Sequence, residues 1–540
     1  MHRKAPLRFS RSLAHHAPLL AVLTVAALWR ATLLALGAFS FNADEAVVAL
    51  MARHMLAGHG VPTFFYGQAY MGSLDAILVA AGFALLGDSV LTVRIVQSAL
   101  YLGVVASTYG LALRLSGRRW VAAVAGLLTA LPPTVAVLYT TATLGGYNET
   151  LLFGNAILWL SYDVAHGHAR SRWRWGLLGT LAGLAWWTNG LIVVYYAPAA
   201  LLLARHFERA RWREYGLAVA GVLLGSAPWW VYNLRHNWAA LEVYLHSRRA
   251  DNTGVPSVPL GVRVVGLLLF GVPSLLGVRY PWAGTYLVPP LAVLMVLGFW
   301  VMLWHWVRRG KPSLRAEARA LLLSGVALFG VIFVASPFSA DATGRYFLPL
   351  WPLLAILWAA QWADWRARRR RWAQAGALGV AIFWLLSAGA AALQQPPGIT
   401  TQFDLISDLP HEYDEPLIDF LEQRGLTRGY SNYWVAFRLA YLTHERIVLS
   451  AALPYKADLS YNPADRRYPP YDEAVAQADP AHLVYITSNL PTLDARIRAC
   501  LRAHGVRFAE TRIGPYRVFY RLSAHLPPQA LGLYEEQGCG

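Results

Sequence analysis

The chain has 540 residues, 56% of them hydrophobic and only 14% charged, with 22 Trp and 27 Tyr. So little polar surface cannot cover a set of ordinary soluble domains, and the composition is that of an integral membrane protein. The formal net charge is +17, but Lys and Arg stand in short clusters between apolar segments, the positive-inside pattern of cytoplasmic loops, which speaks against a nucleic-acid partner.

The N-terminal stretch is basic and then apolar for about 22 residues, long enough to cross a bilayer and too long for a signal-peptide core. It reads as an uncleaved first span with the N-terminus inside. "FNADEAVVALMARHM", residues 41–55, follows. It sets Asp44 and Glu45 where the chain leaves that span, and Val47, Val48, Met51, His54 and Met55 recur at helical spacing. The expectation is an amphipathic helix lying in the membrane interface. A carboxylate there is either a helix cap, favoured by the helix dipole, or a group that accepts a proton from an acceptor hydroxyl.

"SLDAILVAAGFALLG", residues 73–87, is too short to cross. Read as a half-buried helix, it leaves the clusters around Arg118, Arg170 to Arg174, Arg205 to Arg213, Arg308 to Lys311 and Arg366 to Arg371 all on the cytoplasmic side. Residues 262–278 read in the same way as an outer-face helix or re-entrant piece. Further apolar segments near 91–113, 119–139, 150–165, 176–189, 191–204, 214–231, 285–307, 318–336, 347–363 and 373–393 bring the expectation to about eleven spans, with the C-terminus outside. After "QQPPGITTQFD" the chain turns polar. Strand-like runs such as "HLVYITS" and "YRVFYRL" alternate there with helix-like "EPLIDFLEQRG" and "LDARIRACLRAHG". The expected fold class is an all-α polytopic membrane domain over residues 1–393, with a small extracytoplasmic α/β domain over 394–540. Two cysteines, Cys500 and Cys539, have no metal-ligand spacing and either pair or stay apart.

Downstream of the acidic pair come "GHGVPTFFYGQAYMGSLDA" at 58–76, "LGGYNETLLFGN" at 144–155, "APWWVYNLRHN" at 227–237 and "GRYFLPL" at 344–350. An acidic pair after the first span, a helix ending in Gly, an aromatic and Pro-containing loop, and a late Arg345-Tyr346-x-x-Pro349 together resemble bacterial glycosyltransferase family 39. The group includes the protein O-mannosyltransferases and the aminoarabinose transferase of lipid A, within the GT-C superfamily. The run "GYSNYWVAFRLAYLTHERIVLS" at 429–450 is similar to bacterial members too. The resemblance implies inverting transfer of a sugar from a polyprenyl-phosphate donor to an extracytoplasmic glycan, lipid or protein, in a bacterial cell membrane.

By the same resemblance Asp44 matches the proposed general base, Glu45 supports the site, and Glu149 in "GGYNE", near the place of a second acidic residue, is expected to be catalytic with Asp44. The Trp-Trp-Asp-Tyr-Gly signature of oligosaccharyltransferases is missing. A departing phosphate needs fixed positive charge, and a planar guanidinium suits its oxygens. Lys is scarce, which leaves arginine: the resemblance favours Arg345, in the family-like element at the start of a span, and Arg235, Arg53, Arg248 and Arg249 are other outer-face arginines, with His54 and His59 as helpers. Tyr66, Gln68, Tyr70, Tyr147, Asn148 and Tyr346 offer rings and amides for sugar recognition, although interfacial anchoring explains the tyrosines about as well. Asp75, an ionisable group in an apolar helix, is a further candidate. His15, His16, His166 and His168 imply no metal geometry; no cofactor is indicated, nor is a divalent ion, since Asp44 and Glu149 could approach one another without binding metal. The other reading is a transporter or flippase of lipid-linked sugars, which would show internal repeats and mid-bilayer charged sites.

Overall fold

Long apolar runs with few breakers fold as helices. The computed structural model describes residues 8–143, 145–167, 172–246, 259–308, 313–336, 339, 341, 343–369, 371–394, 398–401 and 406–532, and is mostly helical. The first helices are α1 (Arg8–Ala35), α2 (Ala43–Leu56), α3 (Leu74–Leu86), α4 (Val90–Ser116), α5 (Arg119–Ala130), α6 (Thr134–Tyr139), α7 (Tyr147–Ala165), α8 (Trp173–Thr188), α9 (Val193–Arg205), α10 (Trp212–Gly225) and α11 (Ala227–Arg235). They continue as α12 (Ala239–His246), α13 (Leu260–Val265), α14 (Val272–Leu275), α15 (Pro289–Arg308), α16 (Ala316–Ala335), α17 (Leu350–Ala367) and α18 (Arg371–Leu393). The last are α19 (Asp414–Glu422), α20 (Tyr433–Leu442), α21 (Pro469–Ala476) and α22 (Pro491–Ala503). The strands are β1 (Phe64–Phe65), β2 (Gln68–Gly72), β3 (Arg428–Ser431), β4 (Val448–Ser450), β5 (Leu483–Ser488), β6 (Ala509–Ile513) and β7 (Tyr516–Tyr520).

The chain folds as two compact units: Met1–Phe39, Arg94–Ala142 and Gly146–Ile399 form the first, and Ser40–Val93, Thr143–Gly145 and Thr400–Gly540 the second. In the first, five helices of the described residues are long and apolar enough to cross a membrane: His16–Ala35, Val90–Ser116, Pro289–Arg308, Ala316–Ala335 and Gln374–Leu393. A sixth crossing arises if Arg209–Gly225 and Ala227–Arg235, bent by 60°, act as one. This is a multi-pass membrane protein. Leu294, Leu297, Val301 and Trp304 of α15 are more than half exposed, the outward apolar face that lipid tails cover. The remaining segments expected to cross are present as helices too, but shorter: Pro132 and Pro133 divide α5 from α6, and a bend at Asn189 and Gly190 divides α8 from α9. Residues 73–87 and 262–278 indeed yield only short helices.

Helices α8 and α10 pack backbone to backbone. A Cβ on Gly179 would lie 1.9 Å from the Ala218 carbonyl oxygen, one on Gly183 2.1 Å from that of Val222, and one on Gly225 2.1 Å from that of Thr180. Gly179-x-x-x-Gly183 faces Gly221-x-x-x-Gly225, the small-residue spacing that lets helices in lipid approach closely. Elsewhere in this unit the core is aromatic: Trp306, Trp351 and Trp384 are fully buried, and Trp384 Nε1 donates to the Leu276 carbonyl (2.6 Å).

In the second unit a five-stranded sheet runs β4-β3-β5-β7-β6, with β4, β3 and β5 parallel and β5, β7 and β6 antiparallel. Tyr430 pairs with Tyr485 and Tyr485 with Phe519. The alternating runs "HLVYITS" and "YRVFYRL" supply β5 and β7, and the two amphipathic runs supply α19 and α22. Ile497, Cys500 and Leu501 of α22 join Tyr485 and Phe519 in one core. Cys539 lies outside the described residues, and with it any pairing to Cys500.

Helix α2 departs from the expectation. It does not lie along a surface: Ala43, Ala46, Val47, Val48, Ala49, Met51 and Ala52 are all buried, and α3 and α20 pack against it. The large residues mark one stripe, but the alanines between them carry the apolar surface right round the middle of the helix, so it belongs inside, with Asp44, Glu45, Arg53 and His54 confined to its two end turns. The short hairpin of β1 and β2 was not anticipated from sequence.

Candidate functional site

The capping alternative for Asp44 is resolved by its neighbour. Asn42 is the N-cap of α2, its side-chain oxygen accepting from the Glu45 backbone N–H (3.0 Å), the bond that satisfies an orphan donor of the first turn. Asn42 in turn donates to Thr401, the Phe41 N–H donates to His411 Nε2 (2.9 Å), and Ser40 donates to Thr400 (2.9 Å). These bonds pin the entry of α2 to the segment that follows residue 399. Glu45 is fully buried, whereas Asp44 is half-buried.

The Asp44 carboxylate accepts from the hydroxyl of Tyr433, the first residue of α20. Burial and the adjacent Asp44 push the Tyr433 phenol well above its ordinary value, so it stays protonated and donates. The Arg467 guanidinium lies over the Tyr433 ring at 5.1 Å. With its amide oxygen turned toward Arg467, Gln68 accepts from both terminal nitrogens (2.5 and 2.7 Å) and from the Tyr70 hydroxyl (3.2 Å). Burial opposes the Arg467 charge, but Tyr433, Tyr70, Asp44 and Asp465 outweigh it and raise its pKa. Asp465 is itself buried, and burial pushes its carboxyl up to about 6 although Arg467 and Lys456 pull it down. Gly67 makes room for this arrangement: its φ is +70°, and a Cβ there would sit 2.9 Å from Arg467 Cδ. The site thus holds two carboxylates in different environments, one half-buried and bonded to a phenol, one buried with a raised pKa.

Beside it lies an aromatic cluster in the same unit. His54 Nδ1 is 3.0 Å from the Tyr66 hydroxyl and Nε2 is 2.9 Å from Glu445 Oε1, which also accepts from Tyr471 (2.8 Å). Tyr66 and Tyr468 stack at 4.8 Å, and the His59 ring is 5.2 Å from His54. Burial would raise the Glu445 carboxyl, but its bonds to His54 and Tyr471 hold it below the usual carboxylate range. Arg53 forms an ion pair with Asp88 (2.7 Å), whose other oxygen accepts from Tyr441 (2.8 Å). It is held by protein rather than reaching toward head groups. Asp75 is buried and accepts from Thr143.

The other expected residues belong to the first unit. Tyr147, Asn148 and Glu149 form the buried first turn of α7, entered through Gly146 at φ +81°. Asn148 donates to the Gln97 side chain (2.7 Å) and to the Thr140 carbonyl (3.1 Å). Arg345 forms an ion pair with Asp341 (2.7 Å) and donates to the Tyr346 hydroxyl (3.2 Å), with Tyr147 and Tyr139 within its electrostatic reach. Its positive charge is therefore shared with a carboxylate. Arg235 stands exposed at the C-terminal end of α11, and Arg248 and Arg249 lie outside the described residues. Asp44 is in one unit, and Glu149 and Arg345 are in the other.

No family model matches the sequence, and no curated protein matches it either. Solved structures do. ArnT from Cupriavidus metallidurans bound to undecaprenyl phosphate is 16% identical and superposes with a TM-score of 0.57 over 97% of this chain and 100% of that one. Its apo state gives 14%, 0.58, 95% and 99%. The Archaeoglobus fulgidus oligosaccharyltransferase tethered to an acceptor peptide is 13% identical, with a TM-score of 0.50 over 87% of this chain and 69% of that one. The chain has the GT-C fold. The sequence reading named Asp44, Gln68 and Tyr70, and the structure brings to them Tyr433, Asp465 and Arg467, which that reading did not name. Their signal was present in "SNYW" and "ADRRYPPYD", polar groups set among rings. Nothing local to those stretches connects them with residue 44.

Proposed function

We propose that the protein is a membrane glycosyltransferase that moves a hexose or pentose from a polyprenyl-phosphate donor to an extracytoplasmic glycan, lipid or protein, with inversion. The observation that carries the reading is the half-buried Asp44 carboxylate, relieved of capping by Asn42 and held by Tyr433 beside Arg467, in a chain with the GT-C fold. The undecaprenyl phosphate of the ArnT structure supports the donor class, and the acceptor peptide of the oligosaccharyltransferase structure supports an acceptor in kind.

In this mechanism Asp44 takes the proton of the acceptor hydroxyl as that oxygen bonds to the anomeric carbon. The bond from that carbon to the phosphate oxygen breaks on the opposite face, and polyprenyl phosphate leaves with the electron pair. Tyr433 fixes the carboxylate's orientation, and the buried Arg467 balances its charge. Arg345 and Tyr346, in the first unit, are the groups proposed for the leaving phosphate. Tyr66, Gln68, Tyr70 and the His54–His59 pair line the sugar and acceptor side, with Tyr147, Asn148, Glu149 and Arg235 as further polar contacts. The proposal includes about eleven spans, a cytoplasmic N-terminus and an extracytoplasmic C-terminal part, read from the basic loops. It also keeps residues 1–393 as the membrane domain and 394–540 as the outer domain, with the outer-face loop that carries Asp44 folding together with the latter.

The test is turnover by the full chain in nanodiscs, using labelled polyprenyl-phosphate hexoses and pentoses and a panel of envelope acceptors. Asp44→Asn is expected to lower turnover by roughly 10²–10⁴-fold, the worth of a general base, with donor binding retained. Undiminished turnover by that variant overturns the assignment.

A further inference from the structure

Three ligand-type side chains from distant parts of the first unit meet at helix ends that the sugar-transfer reading does not use. His166 follows the last turn of α7, His206 follows the last turn of α9, and Glu317 is in the first turn of α16. One ligand atom from each lies within 4.8 Å of the others. His206 Nε2 is 3.4 Å from Glu317 Oε2, and His166 Nε2 is in direct contact with the same oxygen.

The tautomer of His166 gives this cluster its meaning. Its Nδ1 is 2.8 Å from the Tyr162 carbonyl oxygen, which can only accept, so Nδ1 carries the proton. In the neutral ring Nε2 is then a lone pair, and it faces a carboxylate oxygen. That Nε2 therefore offers its lone pair toward the point where the ligand atoms of His206 and Glu317 also converge, an arrangement that one divalent ion can share. The carbonyl bond is the outer-shell contact that orients a metal-binding imidazole, and the Tyr162 ring, 4.0 Å away centre to centre, fixes the ring plane. The separation of 3.4 Å between His206 and Glu317 matches the edge of about 3.3 Å expected for a tetrahedral ion with bonds near 2.0 Å, whereas the direct contact of His166 with Glu317 is shorter than such an edge and must open as the ion enters. The loop carrying His206 is also built: Arg211 pairs with Glu208 (2.8 Å) and donates to the Val164 carbonyl (3.3 Å).

We infer that His166, His206 and Glu317 form a binding site for a divalent transition ion of the zinc class, which ties together the ends of α7, α9 and α16. Two imidazoles and a carboxylate suit Zn²⁺ over Mg²⁺ or Ca²⁺, which prefer all-oxygen shells. A water molecule or a further side chain completes the fourth position.

The experiment uses the full chain, purified without a polyhistidine tag, stripped by chelator and titrated with Zn²⁺ alone in detergent. Bound metal is counted by mass spectrometry, and Co²⁺ is used as an optical reporter of geometry. The wild type is expected to take up about one equivalent at micromolar Zn²⁺ and to show the intense visible bands of tetrahedral Co²⁺. His206→Gln and Glu317→Gln, which keep hydrogen-bonding capacity, are each expected to weaken uptake by at least roughly 10-fold and to abolish those bands. Failure of the wild type to bind at that concentration, or uptake unchanged in both variants, overturns the site.

Discussion

Asp44 stands one residue from the fully buried Glu45 and two from the cap Asn42, and only it keeps access. The division of labour in that turn is chemical: the amide of Asn42 serves the backbone, so the carboxylate of Asp44 can serve a phenol and a substrate. Removing the phenol tests this directly. Tyr433→Phe is expected to lower kcat by about 10–100-fold, the worth of a hydrogen bond to a charged group, while the donor KM holds; a loss confined to KM would contradict a positioning role. Asp465 makes a pH prediction. Its folded value of about 6 lies above the ordinary 3.8, so the folded chain holds a proton that the unfolded chain has released. Its contribution to stability is whole below the ordinary value and is lost as pH rises through about 6. The full loss is roughly 3 kcal/mol for about two pKa units. Thermal unfolding should therefore show Asp465→Asn gaining on the wild type between about pH 4 and pH 6, and a difference flat across that range would refute the buried carboxylate.

At the scale of elements the seam between α8 and α10 is the tightest feature. Side chains at Gly183 or Gly225 would run into carbonyl oxygens of the facing backbone, which cannot move aside as a flexible side chain would. Gly183→Leu should lower the melting temperature of the detergent-purified chain sharply, at a cost above about 3 kcal/mol. Gly216→Ala on α10, where nothing lies within 4 Å of the added carbon, should be neutral or mildly stabilising. Equal effects from the two would mean that helix propensity, not close approach, sets the cost. The Gly-x-x-x-Gly spacing was there to be read in the sequence. The burial of α2 was not, because alanines count as apolar only once a neighbour such as α20 covers them.

For the whole molecule, the C-terminal part looks from sequence like an accessory domain whose loss would impair acceptor use more than donor binding. The bonds from Asn42 to Thr401, Phe41 to His411 and Asp44 to Tyr433 change that expectation. Truncation after residue 399 should abolish transfer outright, since it strips the Asp44 site of its partners. Measurable turnover by the truncated chain would show that the C-terminal part only braces the site. Membrane-impermeant labelling of single cysteines is expected to reach a residue placed beside Asp44 and not one beside His206; labelling of both from the same side would reverse the proposed topology.

The sequence by itself determined what local physics controls. Apolar length and basic loops made it a membrane protein, period-two and helical runs marked the C-terminal sheet and its helices, and an acidic pair after the first span marked Asp44. Only the tertiary structure decided which groups surround that acid. Asp44 and Tyr433 are 389 residues apart, and His166, His206 and Glu317 sit at the ends of three different helices, so no spacing rule could join them. A hydrogen bond or a shared lone-pair geometry depends on distance in space. Distance along the chain constrains that only within a helix turn or a strand pair.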